Sequence, residues 1–227
     1  MYFDYYYLIL VVPTLILSVI AQIMVKSTFH KYSNIHCSRN ITGQNAAQLL
    51  LRDNSINNVS IEPVHGSLTD HYDPRSKKLR LSEPVYDHSS IAAVGVAAHE
   101  TGHAIQHATH YGPLVLRSTL VPVANIGSSL GPWIAVAGIF LSYPILTNLG
   151  LLLFGGAVVF YLVTLPVEFD ASARALALLR NGNVLTQEEL KGVKKVLTAA
   201  ALTYVASALT AIMSFLRLVL ISRGRRR

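Results

Sequence analysis

Long apolar runs set the pattern of this chain. The first, residues 8–25, carries no charge and is long enough to cross a bilayer as a helix, which predicts an N-terminal membrane anchor at 1–25. The alternative is a cleaved signal peptide. No basic segment precedes the run and no convincing small-residue cleavage site follows it, so the pattern favours a retained helix.

Two further apolar runs, 119–141 and 149–167, contain no charged residue and predict a membrane hairpin at 119–167. Prolines and polar side chains interrupt the first run, which a membrane helix tolerates. A last apolar segment occupies most of 196–227, ahead of a basic tail. It either spans the membrane or lies within it, and we expect three spans with this fourth helix embedded in the membrane.

The main polar section, residues 26–117, mixes strand and helix patterns. Residues 59–64 and 78–81 alternate apolar and polar positions, which predicts a small β-hairpin or sheet edge, with Pro63 at an edge position. The pattern becomes helical from about 89 to 110. A second polar section, 168–195, predicts the end of one helix and the start of the next.

Composition and charge agree with a membrane protein. The chain is 52% hydrophobic and 14% charged, with a formal net charge of +7. Its basic residues flank the apolar runs and do not form a stripe interleaved with aromatic side chains, so they indicate membrane anchoring and no nucleic-acid partner. Cys37 is the single cysteine, which excludes an intrachain disulfide and a cysteine-based metal site. We expect a mainly α, multi-pass membrane protein with a small α+β section.

Charge asymmetry predicts the orientation in the cell membrane. Residues 1–7 hold no lysine or arginine, whereas Lys26, Lys31 and Arg39 follow the first apolar run. The positive-inside rule therefore places the main polar section in the cytoplasm, and the hairpin returns residue 168 to the same side. A spanning last helix would place the basic tail outside, against the rule.

Residues 98–107 contain the spacing His-Glu-x-x-His. On a helix, His99 and His103 project from one face and can share a zinc ion. Glu100 lies about 100° around the helix, so it points beside the metal and can accept a proton from water. The alternative is a surface helix with an accidental pair of histidines.

A catalytic zinc site usually has three protein ligands, so a third must be found. His107 shares the helical face but lies about 12 Å along the axis from His99, which is too far. The longer three-histidine motif would need Gly at 106 and His at 109, where this chain has Gln106 and Thr109.

Glu168 is the best candidate for the third ligand, because it stands where an uninterrupted apolar helix leaves the membrane. Its alternative role is that of an interfacial carboxylate at a helix end, and Asp170 is the rival ligand. The remaining glutamates begin a helix or precede a proline: Glu188, Glu189, Glu62 and Glu83.

Residues 69–75, 94–106 and 165–174 together resemble the YugP-type neutral zinc metallopeptidases of bacterial membranes, and the resemblance covers nearly the whole chain. More distantly the chain is similar to HtpX-type membrane proteases. The resemblance implies a gluzincin-like section with one zinc per chain, histidine ligands at His99 and His103, a catalytic Glu100 and a third ligand at Glu168. The distant relatives carry Asp four residues after that glutamate. Here the position is Ser172, with Asp170 nearby.

Three functions fit these features. The first is a membrane-anchored endopeptidase acting on protein or peptide substrates, which we expect to be membrane-associated. The second is an intramembrane zinc protease, which would take a ligand from an Asp-Gly pair that this chain lacks. The third is a non-enzymatic membrane protein with a structural zinc, which would need a fourth ligand. The sequence leaves the oligomeric state open, and also the oxyanion-stabilising group, for which Arg174, Tyr72, His71 and His65 are all chemically able.

Overall fold

A computed structural model describes residues 5–224, and this part of the chain is mainly helical. A π-helical turn at Tyr7–Val11 leads directly into the first α-helix. The elements in chain order are α1 (Val12–Ser33), α2 (Gly43–Asp53), β1 (Ser60–Val64), β2 (His71–Asp73), β3 (Lys78–Ser82), α3 (Glu83–Tyr86), α4 (Ile91–Ala108), α5 (Gly112–Ser129), α6 (Gly131–Phe140), α7 (Pro144–Asn181) and α8 (Gln187–Gly224).

The three strands form one sheet in the order β1-β3-β2. β1 pairs with β3 in parallel, and β2 pairs with β3 in antiparallel. The predicted strands at 59–64 and 78–81 therefore pair in parallel and do not form a hairpin with each other, because β2 lies between them in sequence and forms the hairpin with β3. Pro63 lies on the edge strand β1, as predicted, because proline has no N–H to donate to a second neighbour.

Four helical segments are long and apolar enough to cross a membrane: Tyr7–Ser33, Gly112–Phe140, Pro144–Asn181 and Gln187–Gly224. The second segment consists of α5 and α6, which are separated at Leu130, immediately before Gly131 and Pro132. The run at 119–141, expected as one helix, is therefore two. α7 and α8 each continue well beyond their apolar runs, so Glu168 lies inside α7 rather than at a helix end.

α8 packs antiparallel to α1. The hydroxyls of Ser18 and Thr210 are 3.3 Å apart, and the Arg217 guanidinium carbon lies 5.3 Å from the Tyr7 ring centroid. Residue numbers thus rise along one helix as they fall along the other. This pairing, with the length of α8, makes the last apolar segment a fourth candidate span.

The chain divides into two compact units. The apolar unit comprises Met1–Gln22, Val115–Pro166 and Leu202–Arg227, as far as these residues are described. The site unit comprises Ile23–Leu114 and Val167–Ala201. The predicted division into five segments remains a prediction.

The core of the site unit contains α2, the sheet and α4. Its largest fully buried aliphatic side chains include Leu50 from α2, Leu79 and Leu81 from β3, and Val94 from α4. α4 begins at a sequence-encoded cap, because the Ser90 hydroxyl accepts a hydrogen bond from the Ala93 amide at 3.1 Å. The cap fixes the start of α4 at Ile91, and the helix predicted at about 89–110 extends over Ile91–Ala108.

Candidate metal centre

Three side chains from two helices of the site unit converge. His99 and His103 come from α4, and Glu168 comes from α7. Their ligand atoms all lie within 4.8 Å of one another, and the structure brings together no other such group of His, Cys, Asp and Glu among residues 5–224. Glu168 Oε2 is 3.3 Å from His99 Nε2 and 3.5 Å from His103 Nε2. All three side chains are largely buried.

These distances fit a zinc ion. Nitrogen and oxygen ligands about 2.0–2.1 Å from a tetrahedral zinc are about 3.3–3.4 Å from one another. The two distances from Glu168 Oε2 are close to that value. The donor set, two imidazole nitrogens and one carboxylate oxygen, is also one that zinc prefers. The residues present therefore fit the metal.

Gln106 determines which nitrogen of His103 is available. Its side-chain N–H group donates to the Val167 carbonyl at 2.8 Å and to Asp170 Oδ2 at 2.7 Å. Both partners can only accept, so the Gln106 amide cannot be turned around. Its oxygen then faces His103 Nδ1 at 3.0 Å and requires a proton there. With a metal bound, the lone pair of His103 would therefore be on Nε2, the nitrogen that faces Glu168; without a metal, Nε2 can carry a proton towards that carboxylate.

Ser172 supports the other histidine. Its hydroxyl lies 3.2 Å from His99 Nδ1, which orients the ring with Nε2 towards Glu168. A hydroxyl can accept a hydrogen bond from Nδ1–H as a carboxylate can, without adding a charge. Ser172 is therefore placed to support His99.

Gly102 allows α4 and α7 to approach closely. A Cβ atom at this position would lie 2.7 Å from the Ala171 carbonyl oxygen and 3.2 Å from its Cα. Real Cβ atoms do not come that close to backbone, so any side chain would push the helices apart. The approach brings α7 within reach of the two histidines, because Ala171 lies one helical turn after Glu168.

Glu100 is buried and close to the histidines. Burial by itself lowers the pKa of His103, but the hydrogen bond to Glu168 and the negative charges of Glu100 and Glu168 outweigh it, so the pKa of His103 is raised from its ordinary value. The carboxylate of Glu100 is thus near enough to act electrostatically at the centre, and the three ligand positions are filled by other residues.

The rival carboxylate, Asp170, has a different role. It accepts from Gln106 and from Arg174 Nε, the latter at 2.5 Å, while the Arg174 guanidinium lies 5.6 Å from the centre of the Tyr111 ring. Glu189 accepts from the Thr186 amide at 2.7 Å and so caps the start of α8, the helix that it was predicted to begin. The geometry therefore favours Glu168 as the third ligand.

The other oxyanion candidates lie on or beside the sheet. Tyr72 shares a hydrogen bond of 2.8 Å with His107 Nδ1. His71 contacts the Thr69 carbonyl and Arg80, and the exposed His65 pairs with Glu83. His71 and His65 therefore contact neighbours outside the metal centre. Arg174 pairs with Asp170, and Tyr72 bonds to His107 of α4. These two are therefore the better placed candidates for stabilising the oxyanion.

Gln106 is a residue of the candidate centre whose contacts the sequence did not predict. It entered the reasoning only as a mismatch to a longer zinc motif. A weak signal existed, because residue 106 lies three positions after His103 and seven after His99, on the same side of α4. Its partners on α7 are 61 and 64 residues away and could not be inferred.

Known proteins resemble the chain along almost its full length. The family model described as "Putative neutral zinc metallopeptidase" matches residues 7–223. The protein named "Putative membrane protease YugP", from Bacillus subtilis (strain 168), is 47% identical over 215 residues, which cover 95% of this chain and 96% of the relative. No solved structure matches the chain significantly. The family predicted from the three motifs is confirmed, and the relative together with the apolar helices supports association with a membrane.

Proposed function

Because the chain belongs to the family described as "Putative neutral zinc metallopeptidase", we propose that it is a membrane-anchored, gluzincin-like endopeptidase with one zinc per chain. Its substrates are proteins or peptides associated with the membrane. The observation that carries the proposal is the approach of Glu168 Oε2 to the Nε2 atoms of His99 and His103, at 3.3 and 3.5 Å.

A catalytic role is favoured over a structural zinc by the number of ligands. Structural zinc sites are normally closed by four protein side chains, whereas catalytic sites keep a position open for water or substrate. Among residues 5–224, the centre brings together three His, Cys, Asp or Glu side chains. A zinc ion held by His99, His103 and Glu168 would supply Lewis acidity and would lower the pKa of a bound water to about 7.

The chain's own residues then perform the proton transfers. Glu100, beside the histidines on α4, accepts a proton from the attacking water and passes it to the leaving amine. Gln106 and Ser172 keep the proton of each ligand histidine on Nδ1, so that neither ring turns during turnover. Arg174 and Tyr72 are the groups we propose to test for stabilising the oxyanion.

We also propose four membrane crossings with the metal centre on the cytoplasmic side. The positive-inside rule places the basic residues around 26–39 in the cytoplasm. The antiparallel packing of α8 on α1 supports a fourth crossing in place of the expected embedded helix, and this crossing puts the basic tail outside, against the same rule. A reporter-fusion map should place residues 60 and 180 on the same, cytoplasmic side. Opposite sides would defeat the arrangement.

Glu100→Gln is the experiment that tests the activity. The purified variant should retain stoichiometric zinc and lose peptide hydrolysis by about a hundredfold or more, because it keeps the ligands and lacks the base. His99→Ala is the matched variant and should lose zinc as well. An equal loss of zinc in Glu100→Gln would make Glu100 a ligand and overturn its assignment as the base.

A further inference from the structure

A cavity lies beside the C-terminal half of α4, within the site unit. It has a volume of about 520 Å³ and lies between α4, the loop after α2, and the hairpin of β2 and β3. Ala104, His107 and Ala108 contribute the α4 wall, and Tyr72 and Lys77 contribute the hairpin wall. His107 follows His103 by one helical turn, so the cavity opens roughly 6 Å along the helix from a metal ligand.

The lining of this cavity contains the positive charge of Lys77 and several hydrogen-bond donors. Lys77, His107 and His110 supply the basic groups, and the amides of Asn57 and Asn58 are further donors. No carboxylate occurs among the described residues that line it. The nearest acidic neighbour in sequence, Asp73, is bonded to Ser76 and pairs with Arg80. A cavity of this kind favours an anionic guest.

The pKa of His107 depends on the charged groups around the cavity. This pKa is lowered by burial and by the positive charges of Lys77 and His110. The basic groups are therefore close enough to act on one another. A carboxylate placed among them would form a charge-assisted hydrogen bond with the Lys77 ammonium, and its negative charge would favour protonation of the two histidines.

On the basis of the proposed peptidase activity, we propose that this cavity is a specificity pocket that binds an acidic side chain, Asp or Glu, of the substrate. An extended peptide advances about 3.3–3.5 Å per residue. The pocket therefore receives a side chain one or two residues from the bond that is cleaved. Lys77 is the residue that recognises the acidic side chain.

The sequence provides a matched pair of lysines to test this. Lys77 lines the cavity, whereas Lys78 is held by Glu62 on the sheet, with 2.6 Å between the charged atoms. Lys77→Gln removes a charge from the pocket, Lys78→Gln removes one beside it, and Lys77→Glu reverses the charge in the pocket. The probes are labelled peptides that differ only by Glu, Gln or Lys at one position, scanned across the cleaved bond.

Hydrolysis and binding are measured separately on the full-length, zinc-loaded protein. At one position the Glu peptide should show a KM about tenfold below that of the Gln peptide, with similar kcat, because the pocket binds ground and transition states alike. The Glu100→Gln protein should show the same preference in Kd. Lys77→Gln should abolish the preference, Lys77→Glu should shift it to the Lys peptide, and Lys78→Gln should retain it.

Two different failures can be distinguished. If the wild-type protein cleaves no peptide but the Glu preference in Kd exists and depends on Lys77, the activity fails and the pocket stands. If peptides are cleaved without a Glu preference, or the preference survives Lys77→Gln, the pocket assignment is overturned and the peptidase stands.

Discussion

The site unit and the apolar unit pack their helices by different means. The site unit buries large aliphatic side chains such as Leu50 and Leu79. Hydrogen bonds from Gln106 connect its two ligand-bearing helices, α4 and α7. The apolar unit has large side chains facing outward, with Trp133 at 73% and Phe140 at 76% exposure. It brings its own helices together at glycines: a Cβ at Gly150 would meet the backbone of Ala135.

This difference is the one expected between a unit surrounded by water and a unit surrounded by lipid. In water, apolar side chains are driven inward, and large ones form the core. In lipid there is no such drive between helices, so close packing of small residues holds them together while large apolar side chains face the hydrocarbon. Substitutions in the site unit should therefore change zinc binding, and substitutions in the apolar unit should change stability in detergent.

The largest effect is expected from the third ligand. Glu168→Ala should reduce zinc affinity by more than about a hundredfold, the upper range for losing a supporting residue, and should abolish hydrolysis. Asp170→Ala should retain most of the zinc, because Asp170 contacts Gln106 and Arg174 and lies outside the ligand cluster. Metal analysis of both purified proteins decides the assignment, and the reverse result would show that the wrong carboxylate is named.

A smaller effect in the same unit is expected from Gln106→Met, which keeps the size of the side chain and removes its hydrogen bonds. Zinc affinity should fall by about 10–100-fold. In the zinc-loaded protein, nitrogen NMR should show a shifted His103 Nδ1–H signal, because the hydrogen bond to Gln106 is lost. Thr109→Ala is the control, since that hydroxyl bonds only to carbonyls of its own helix. An unchanged His103 signal in Gln106→Met would refute the hydrogen bond between Gln106 and His103.

In the apolar unit, Gly150→Ala should lower stability in detergent by about 1–3 kcal/mol and leave the zinc affinity of the folded protein unchanged. The added methyl group would collide with the Ala135 backbone. Gly155→Ala is the matched control, because its Cβ would only touch the Phe215 ring at 3.6 Å. Thermal unfolding and zinc titration check both variants. Equal melting temperatures for the two would contradict the packing described.

The smallest effect is expected between α1 and α8. Ser18→Ala removes a hydrogen bond to Thr210 and should cost about 0.6 kcal/mol, the average for such bonds within membranes. A double-mutant cycle with Thr210→Ala isolates the contribution of this pair. A coupling energy of zero would mean that the two hydroxyls only bond to their own helices.

Much of this arrangement is readable in the sequence because it depends on local pattern. Apolar runs predict the long helices, and the helical pattern at about 89–110 predicts α4. Glu168 could be named by eliminating the other glutamates. The strand β2, only three residues long, was hidden in a segment rich in turn residues and is defined by pairing with β3. Gln106, the break at Leu130 and the cavity beside α4 likewise depend on contacts or backbone geometry that no local pattern encodes.

The close approach at Gly102 has a consequence for how sequences of this family can diverge. Its obstacle is the backbone of Ala171, which no substitution at position 171 can remove. Gly95, two turns earlier on α4, faces the Val193 side chain at 2.9 Å instead. A larger residue at 95 can be accommodated by a smaller one at 193. An alignment of homologues should therefore show an invariant glycine at 102 and correlated exchanges between 95 and 193.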